Sequence, residues 1–367
     1  MTTKNRMATR RSVLKTSAAA AAASTLPVGT FLRRAWAAEP IKVSSYGGYF
    51  EDMLSEYAYP EFEKASGIQI ETVSQPGGYS WFTQIENGME AGNAPIDITM
   101  AAGGSMRRAN HLFTRLDPAR APNMENIPDY LVYRDPDTGM AVGSPALAWY
   151  TTFVTNTEIW PEAPTSWADA WDPKFVDSLG WGGEADASYL IDIVAHTFHG
   201  GSDIMQTKDG LMTCMEKGIG LKDNVKLWYS DEGQFQSMLQ SGELTGGQYY
   251  HDVTQVMAGD GFPMRSTFPK EGGVIDFGSW AMVTSTEKID QCYEFINWCA
   301  SPEAQTIITE NLWTAPVLPR SMMPNLSDEA FNRASSEIPP IVIDYAIYVE
   351  NGDWIAEKWQ ELLTGAG

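Results

Sequence analysis

The chain has 367 residues, and its 47 Asp and Glu outnumber its 25 Lys and Arg, giving a net charge of −22 at pH 7. Such an acidic surface repels the phosphates of nucleic acids and anionic lipids, which argues against partners of either kind. It also attracts cationic ligands, although an adaptation that keeps the protein soluble in salty surroundings explains the same charge. The length exceeds what one hydrophobic core usually supports and therefore predicts two domains.

Residues 1–37 have the pattern of an export signal. Paired arginines stand in Thr9-Arg10-Arg11-Ser12-Val13-Leu14-Lys15, a weakly apolar run follows at 16–28, and Ala35-Trp36-Ala37 is a small-x-small cleavage site. A membrane anchor is the alternative, but it needs about 20 strongly apolar residues, and this run is mostly alanine and threonine. We predict a twin-arginine signal peptide and, because no cysteine precedes Cys214, a periplasmic protein without a lipid anchor.

Removal of this segment makes the protein more acidic. Residues 1–37 hold seven basic residues and no acidic one, which leaves 18 basic against 47 acidic residues and a net charge of −29. The three cysteines do not form an evident disulfide, because Cys292 and Cys299 lie seven apart in a helical pattern, about 10 Å along the axis. We predict free, buried thiols.

Apolar runs alternate with helical patterns, which predicts an α/β fold. The first unit has strands at 41–45, 68–73 and 96–100 and helices at 50–65 and 80–91, with Gly67 ending the first helix. This order predicts a βαβαβ start, followed by Gly103-Gly104-Ser105 at the end of its third strand.

A second series begins near residue 146. Strands are predicted at 150–155, 178–181, 225–228, 245–250, 265–268 and 281–284, and helices at 164–171, 186–199, 206–217, 231–240, 288–300 and 302–312. Ser166 and Asp169 form a predicted capping box, and Ser301 with Pro302 is a predicted helix start.

Catalytic motifs are not evident. The sequence has no G-x-S-x-G, G-x-x-x-x-G-K-[ST] or H-E-x-x-H motif. His196 and His199 lie three apart in a helical segment, but no acid or cysteine stands at metal-ligand spacing from them. Asp135-Pro136-Asp137-Thr138-Gly139 lacks the later ligands of a calcium loop and is predicted to be a turn. We therefore expect no enzyme, cofactor or metal, with an exported hydrolase as the alternative of another class.

Several segments resemble the periplasmic polyamine (spermidine/putrescine)-binding proteins of ABC importers. They occur in order along the chain: Phe62-Glu63-Lys64-Ala65-Ser66-Gly67-Ile68, Pro164-Thr165-Ser166-Trp167-Ala168-Asp169-Ala170-Trp171-Asp172-Pro173, Phe268-Pro269-Lys270-Glu271-Gly272-Gly273, Ser301-Pro302-Glu303-Ala304-Gln305 and Asn351-Gly352-Asp353-Trp354. The resemblance implies a two-lobed type II periplasmic binding protein fold, with a hinge and a ligand cleft between the lobes. It places lobe 1 at 38–145 and 274–313, and lobe 2 at 146–273 and 314–367. It also implies a membrane permease as partner, and we expect a monomer.

The resemblance also assigns ligand-binding positions. An aromatic pair after the first strand corresponds to Tyr46 and Tyr49, a tryptophan of lobe 2 to Tyr250, and a late tyrosine to Trp313. The aspartate of the hinge corresponds to Gly278 and a neighbouring tryptophan to Asp276. Two acids at a helix start of lobe 2 correspond to Ala185 and Ser188, and the acids Glu184 and Asp186 flank the first of these. A glutamine near the C-terminus corresponds to Ile355.

Retention of rings with loss of carboxylates has a chemical meaning. A primary ammonium has three N–H donors that require acceptors, whereas a methylated ammonium or sulfonium has none and binds over ring faces. We therefore predict a methylated onium ligand, such as a betaine, choline or a sulfonium osmolyte, with a polyamine as the alternative. The free N–H groups of Gly103, Gly104 and Ser105 at a helix start are candidates to hold a carboxylate of such a ligand. Core packing is the other role that any one of these aromatic residues can have.

The export signal is directly testable. Residues 1–40 fused to a reporter should deliver it to the periplasm, and delivery should fail when Arg10 and Arg11 are both replaced by Lys, because the paired arginines define the signal. Cell fractionation measures the outcome. Periplasmic delivery that persists in cells without the twin-arginine machinery would contradict the assignment.

Overall fold

The computed structural model describes residues 39–76, 78–184 and 188–365. Within these residues, ten strands form one mixed sheet with the order β2-β1-β3-β9-β4-β7-β5-β6, and β10 pairs with β9 while β8 pairs with β4. The strands are β1 Ile41–Tyr46, β2 Ile70–Gln75, β3 Ile98–Ala102, β4 Ser144–Asn156, β5 Leu179–Gly182, β6 Val225–Tyr229, β7 Gly246–Tyr250, β8 Met264–Thr267, β9 Val274–Met282 and β10 Ile341–Val342. The predicted signal peptide and Asp186 lie outside the described residues.

Helices cover the sheet. They are α1 Tyr49–Met53, α2 Tyr59–Ser66, α3 Ser80–Glu90, α4 Gly103–Arg108, α5 Leu190–Phe198, α6 Lys208–Ile219, α7 Glu232–Ser241, α8 His251–Gly259, α9 Ile289–Cys299, α10 Pro302–Leu312, α11 Asp328–Ala334 and α12 Tyr345–Thr364. A π-helical turn, Leu54–Ala58, joins α1 to α2. None of the described helices has the length and apolar character needed to cross a membrane.

The first unit forms as predicted. Strand β1 pairs in parallel with β2 and with β3, so the βαβαβ start is confirmed. Gly67 ends α2 in the left-handed conformation with φ of 75°, which a residue without a side chain adopts easily. The capping box of Ser166 and Asp169 and the Ser301 cap before Pro302 are also present. The first of these caps begins a short 3-10 helix, Trp167–Trp171, within the helix predicted at 164–171.

The two longest strands lie at the centre of the sheet. Strand β4 has 13 residues and β9 has nine, and they run antiparallel to each other. From Gly278 onward β9 also pairs with β3, whereas its first two residues pair with β10. The prediction of a strand at 281–284 was therefore wrong in its bounds. Every residue of β9 is buried, so Asp276 and Ser279 interrupt the apolar pattern without marking solvent exposure.

Separate hydrophobic cores pack against different strands of the sheet. One contains Phe62, Trp280 and Phe295, beneath α2 and α9. Another contains Trp181 and Trp359, where α12 packs on β5 and α6. This arrangement confirms the α/β class, while the residue boundaries of the two lobes stay a prediction. All three cysteines are buried and unpaired, as predicted.

One carboxyl group in these cores is chemically unusual. Asp192 on α5 is fully buried and accepts a hydrogen bond from the Tyr348 hydroxyl on α12. Burial raises the pKa of Asp192 from 3.8 to about 7, although the Tyr348 hydrogen bond lowers it in part. The folded state therefore holds a proton that the unfolded chain releases, so this group destabilises the fold increasingly as pH rises from about 4 to about 7.

Asp192→Asn should remove this pH dependence, because the amide oxygen still accepts from Tyr348 and carries no charge. We expect the free energy of unfolding of the variant, relative to the unmodified protein, to increase by about 2–3 kcal/mol between pH 5 and pH 8. Urea denaturation at both pH values measures it. Asp223→Asn, at an exposed position, is the matched control and should show no comparable change. An equal effect of Asp192→Asn at both pH values would contradict the account.

Candidate functional site

Two cavities share the side chain of Tyr189, and we call them together the cleft. The smaller one, of about 120 Å³, is lined by Thr151, Gly182, Gly183, Glu184, Ser188, Tyr189, Tyr229, Ser230, Glu232, Gln248, Tyr249 and Tyr250. The wider one, of about 810 Å³, is lined by Ala102, Gly104, Ser105, Arg108, Tyr189, Asp276, Tyr345, Tyr348, Val349, Glu350, Asn351, Gly352, Asp353, Trp354 and Ala356. Segments from β3, β5, β7, β9 and α12 thus meet around one space.

Asp276 on β9 lies at the inner wall of the cleft and is only 5% exposed. Its carboxylate accepts hydrogen bonds from the Tyr189 hydroxyl at 3.0 Å and from the Phe277 backbone N–H at 2.8 Å, and the Tyr345 hydroxyl also bonds to it. Burial raises the pKa of Asp276, while these hydrogen bonds and the nearby charge of Arg107 lower it in part. Three donors already occupy a group with about four acceptor sites, so little capacity remains for an ammonium.

Gly278 follows Asp276 by two residues on the same strand and therefore faces the same side of the sheet. A Cβ atom at Gly278 would lie 2.9 Å from the Tyr46 hydroxyl oxygen and 3.2 Å from the Met100 side chain. Tyr46 thus fills the space into which a side chain at Gly278 would extend. A carboxylate at Gly278 would require Tyr46 to move. The acidic residue of β9 is Asp276.

A cation–aromatic stack includes Tyr345, which lines the wider cavity. The Arg107 guanidinium lies 4.4 Å from the Tyr133 ring centroid and 4.3 Å from that of Tyr345, and it donates to the Gly103 carbonyl at 2.9 Å. Gly103 gives this stack room, because a Cβ there would lie 3.0 Å from Tyr345 and 3.1 Å from Arg107. Helix α4 is thereby held against α12, whose first residue, Tyr345, also reaches Asp276.

The smaller cavity is rich in tyrosine and carboxylate. The Tyr250 hydroxyl donates to Glu232 at 2.8 Å, and the Tyr229 hydroxyl donates to the Gln248 carbonyl at 3.0 Å. Burial raises the pKa of both tyrosines, so both stay neutral hydrogen-bond donors at physiological pH. Glu184 is exposed at the rim of this cavity. Neutral rings beside negative charges attract a cation without requiring it to donate hydrogen bonds.

The structure places the predicted ligand-binding residues in three groups. Gly104, Ser105, Glu184, Tyr250 and Asp276 line the cleft, and Tyr46, Gly103 and Gly278 lie directly behind it.

Two other predicted residues line neither cavity. The Tyr49 side chain is 48% exposed, and its hydroxyl donates to the Asn311 carbonyl at 3.2 Å. Trp313 ends α10 in the left-handed conformation, with its ring 4.7 Å from the Arg333 guanidinium. Its ring face is therefore already covered by a cation of the protein.

Sequence reasoning missed Tyr189, Tyr345 and the two arginines of α4. Tyr189 has φ of 54°, a left-handed conformation that is rare for an aromatic residue and carries no sequence signal. A signal did exist for α12, because the segment Asn351-Gly352-Asp353-Trp354, noted for its resemblance, lines the wider cavity.

The two segments considered as possible metal sites form hydrogen bonds within the protein. A ring nitrogen of His196 hydrogen-bonds with the Ser202 hydroxyl at 3.1 Å. The Asp135 carboxylate pairs with Arg115 and accepts from the N–H groups of Asp137 and Thr138, which confirms the predicted turn. In the described ranges, no group of three potential metal ligands comes together.

The mixed sheet with helices on its faces, and a cleft where several segments converge, are typical of a protein that binds a small molecule. Residues 58–330 match the bacterial extracellular solute-binding protein family, and the chain belongs to that family. The gamma-aminobutyric acid-binding protein of Pseudomonas aeruginosa is 21% identical over 329 residues, spanning 88% of this chain and 90% of that protein.

Two further comparisons concern polyamine-binding proteins. The spermidine/putrescine-binding periplasmic protein of Escherichia coli K12 is 20% identical over 310 residues, spanning 82% of this chain and 84% of that protein. The solved structure of the spermidine/putrescine ABC transporter substrate-binding protein PotD from Streptococcus pneumoniae superposes with a TM-score of 0.66 at 18% identity, covering 88% of this chain and 99% of that one. The resemblance to this family and the two-lobed fold are confirmed, and the family model makes the chain a bacterial extracellular solute-binding protein.

The stack of Arg107 on Tyr345 predicts unequal effects at two adjacent glycines. Gly103→Ala should be less stable than Gly104→Ala by about 1–3 kcal/mol, because its methyl group would crowd Tyr345 and Arg107, whereas a Cβ at Gly104 comes no closer than 3.8 Å to Tyr345. Alanine itself favours the helix at both positions, which makes the pair well matched. Urea denaturation of both variants measures the difference. Equal stabilities would show that Gly103 does not make room for the stack.

Proposed function

We propose that this protein captures a small organic cation, in the first instance a methylated onium compound such as a betaine, choline or a sulfonium osmolyte. The observation that carries the proposal is that hydrogen-bond donors of the protein already occupy the Asp276 carboxylate. Tyrosine hydroxyls and a backbone N–H already occupy this buried carboxylate, which leaves aromatic rings as the main surface offered to a cationic group. An onium group needs ring faces and a negative field, and it has no N–H donors to satisfy.

The rings of Tyr189, Tyr229 and Tyr250 line the smaller cavity, with Glu184 and Glu232 among the same lining residues. Each ring contributes about 0.5–2 kcal/mol to the binding of a cation. Three rings therefore supply roughly 1.5–6 kcal/mol, which is less than the ~8 kcal/mol of micromolar binding. The carboxylates add long-range attraction, and a further contact with the ligand is required.

Binding proceeds by hinge closure and breaks no bond. Contacts from both lobes favour the closed state, and a membrane permease recognises that state. The twin-arginine signal delivers the folded protein to the periplasm, where it acts as a monomer. An exported hydrolase is the contrasting hypothesis, and recovery of each bound ligand unchanged after calorimetric titration distinguishes the two.

A polyamine is the second candidate ligand, because carboxylates outnumber basic residues among the described residues that line the cleft. Asp276, Glu350 and Asp353 line the wider cavity, and Glu184 and Glu232 line the smaller one. The names of the relatives from Escherichia coli and Streptococcus pneumoniae are consistent with it.

A thermal-shift screen separates the two classes. We expect glycine betaine, choline or a sulfonium compound to raise the melting temperature more than putrescine or spermidine at equal concentration, since a ligand at 100 times its Kd stabilises by about 2.7 kcal/mol. Tyr250→Ala should weaken onium binding by about 0.5–2 kcal/mol, and the matched variant Tyr250→Phe should retain most of it, because the ring remains. Stabilisation by polyamines alone, with Asp276→Asn more damaging than Tyr250→Ala, would replace the onium proposal with the second candidate.

A further inference from the structure

Arg108 differs from every other arginine in the described part of the chain. Residues 39–365 contain eight arginines. Five of them form ion pairs with carboxylates: Arg115, Arg120, Arg134, Arg320 and Arg333. Arg265 donates to the Thr155 hydroxyl and to three backbone carbonyls, and Arg107 donates to the Gly103 carbonyl. The Arg108 guanidinium has neither an ion pair nor a hydrogen bond to any described residue.

This unpaired guanidinium lies at the cleft. Arg108 lines the wider cavity together with Asp276 and Tyr189, and among the described residues that line the two cavities it is the one basic residue. Its guanidinium lies 5.3 Å from the centroid of the Tyr79 ring, a contact that restricts its orientation without using its N–H groups. The cavity therefore presents a cation with free donors.

In so acidic a chain, an arginine without a carboxylate partner indicates what kind of ligand the cavity accepts. With 47 acidic residues in the chain, partners for a surface arginine are abundant, and five of the eight arginines have found one. An unneutralised guanidinium would repel a ligand that is cationic along its whole length, such as a polyamine. Its planar set of N–H donors matches a carboxylate, which it can bind through two parallel hydrogen bonds.

We propose that Arg108 binds the carboxylate of the ligand and that the ligand is a zwitterion, with its cationic group among the cleft tyrosines and its anionic group at α4. This inference rests on the proposed function in requiring a cationic group in the cleft. A bond between Arg108 and a carboxylate supplies the further contact that the rings lack. It also makes Arg108 a specificity-determining residue, which selects betaines and amino acids against choline and diamines.

Two pairs of probes test the carboxylate separately from the cationic group. Glycine betaine and choline share a trimethylammonium group and differ in whether they carry a carboxylate. 4-Aminobutyrate and putrescine share a four-carbon chain with a primary ammonium, and the carboxylate of the first replaces the second ammonium of the other. Calorimetric titration of the full mature chain gives Kd for all four, with the unmodified protein, Arg108→Gln, Arg108→Lys and, as control, Arg134→Gln, which pairs with Asp129 away from the cleft.

We expect the carboxylate-bearing member of at least one pair to bind at least tenfold more tightly than its partner, in line with a charge-assisted hydrogen bond. Arg108→Gln should abolish that preference by weakening only the carboxylate-bearing probe, Arg108→Lys should retain part of it, and Arg134→Gln should retain all of it. If choline and putrescine each bind as tightly as their carboxylate-bearing partners and Arg108→Gln has no effect, the inference is overturned while cation binding stays intact. Binding of none of the four probes to the unmodified protein would instead contradict the proposed function and, with it, the inference.

Discussion

The cleft depends on one interaction, the solvation of the Asp276 carboxylate by tyrosine hydroxyls. Asp276 lies on β9, which pairs with β4 along most of its length, with β3 at one end and with β10 at the other. A buried carboxylate on such a strand destabilises the fold unless donors replace the lost water. Tyr189, just before α5, and Tyr345, at the start of α12, provide these donors. The need to satisfy one acid therefore brings two rings from distant parts of the chain to the same wall.

The same interaction determines what the cleft offers to a ligand. Because Tyr345 bonds Asp276 and stacks on Arg107, α4 is held close to α12, and the neighbouring Arg108 faces the wider cavity. The rings lie at the inner wall, and Glu184 and Glu232 lie in the smaller cavity beside them. A ligand with positive and negative ends suits this arrangement better than a ligand of one charge, since each end finds an opposite partner.

The sequence predicted elements well where one face is buried and poorly where burial is complete. The first unit and its Gly67 stop followed from helical and strand periods, and the caps at Ser166 and Ser301 followed from local hydrogen-bond chemistry. Strand β9 was assigned wrong bounds because a fully buried strand has no alternation, and its Asp276 resembles a loop residue.

The site residues were only partly predictable, because some of them depend on features of the folded chain that leave no pattern in the sequence. The resemblance to the family pointed to Asp276, Tyr250 and the α12 segment. These residues could be matched to family positions by their order along the sequence. Tyr189 depends on a rare left-handed backbone conformation, and the free state of Arg108 depends on the absence of a partner in three dimensions. Neither property is encoded in a local pattern.

The most direct test of the account is a crystal structure of the protein with the ligand that stabilises it most in the thermal-shift screen. The account predicts electron density for the ligand in the cleft, with its cationic group within about 6 Å of the ring centroids of Tyr189 and Tyr250. Asp276 should keep its bond from Tyr189 in that complex. A ligand bound outside the two cavities, or an ammonium that displaces Tyr189 to pair directly with Asp276, would contradict recognition by rings.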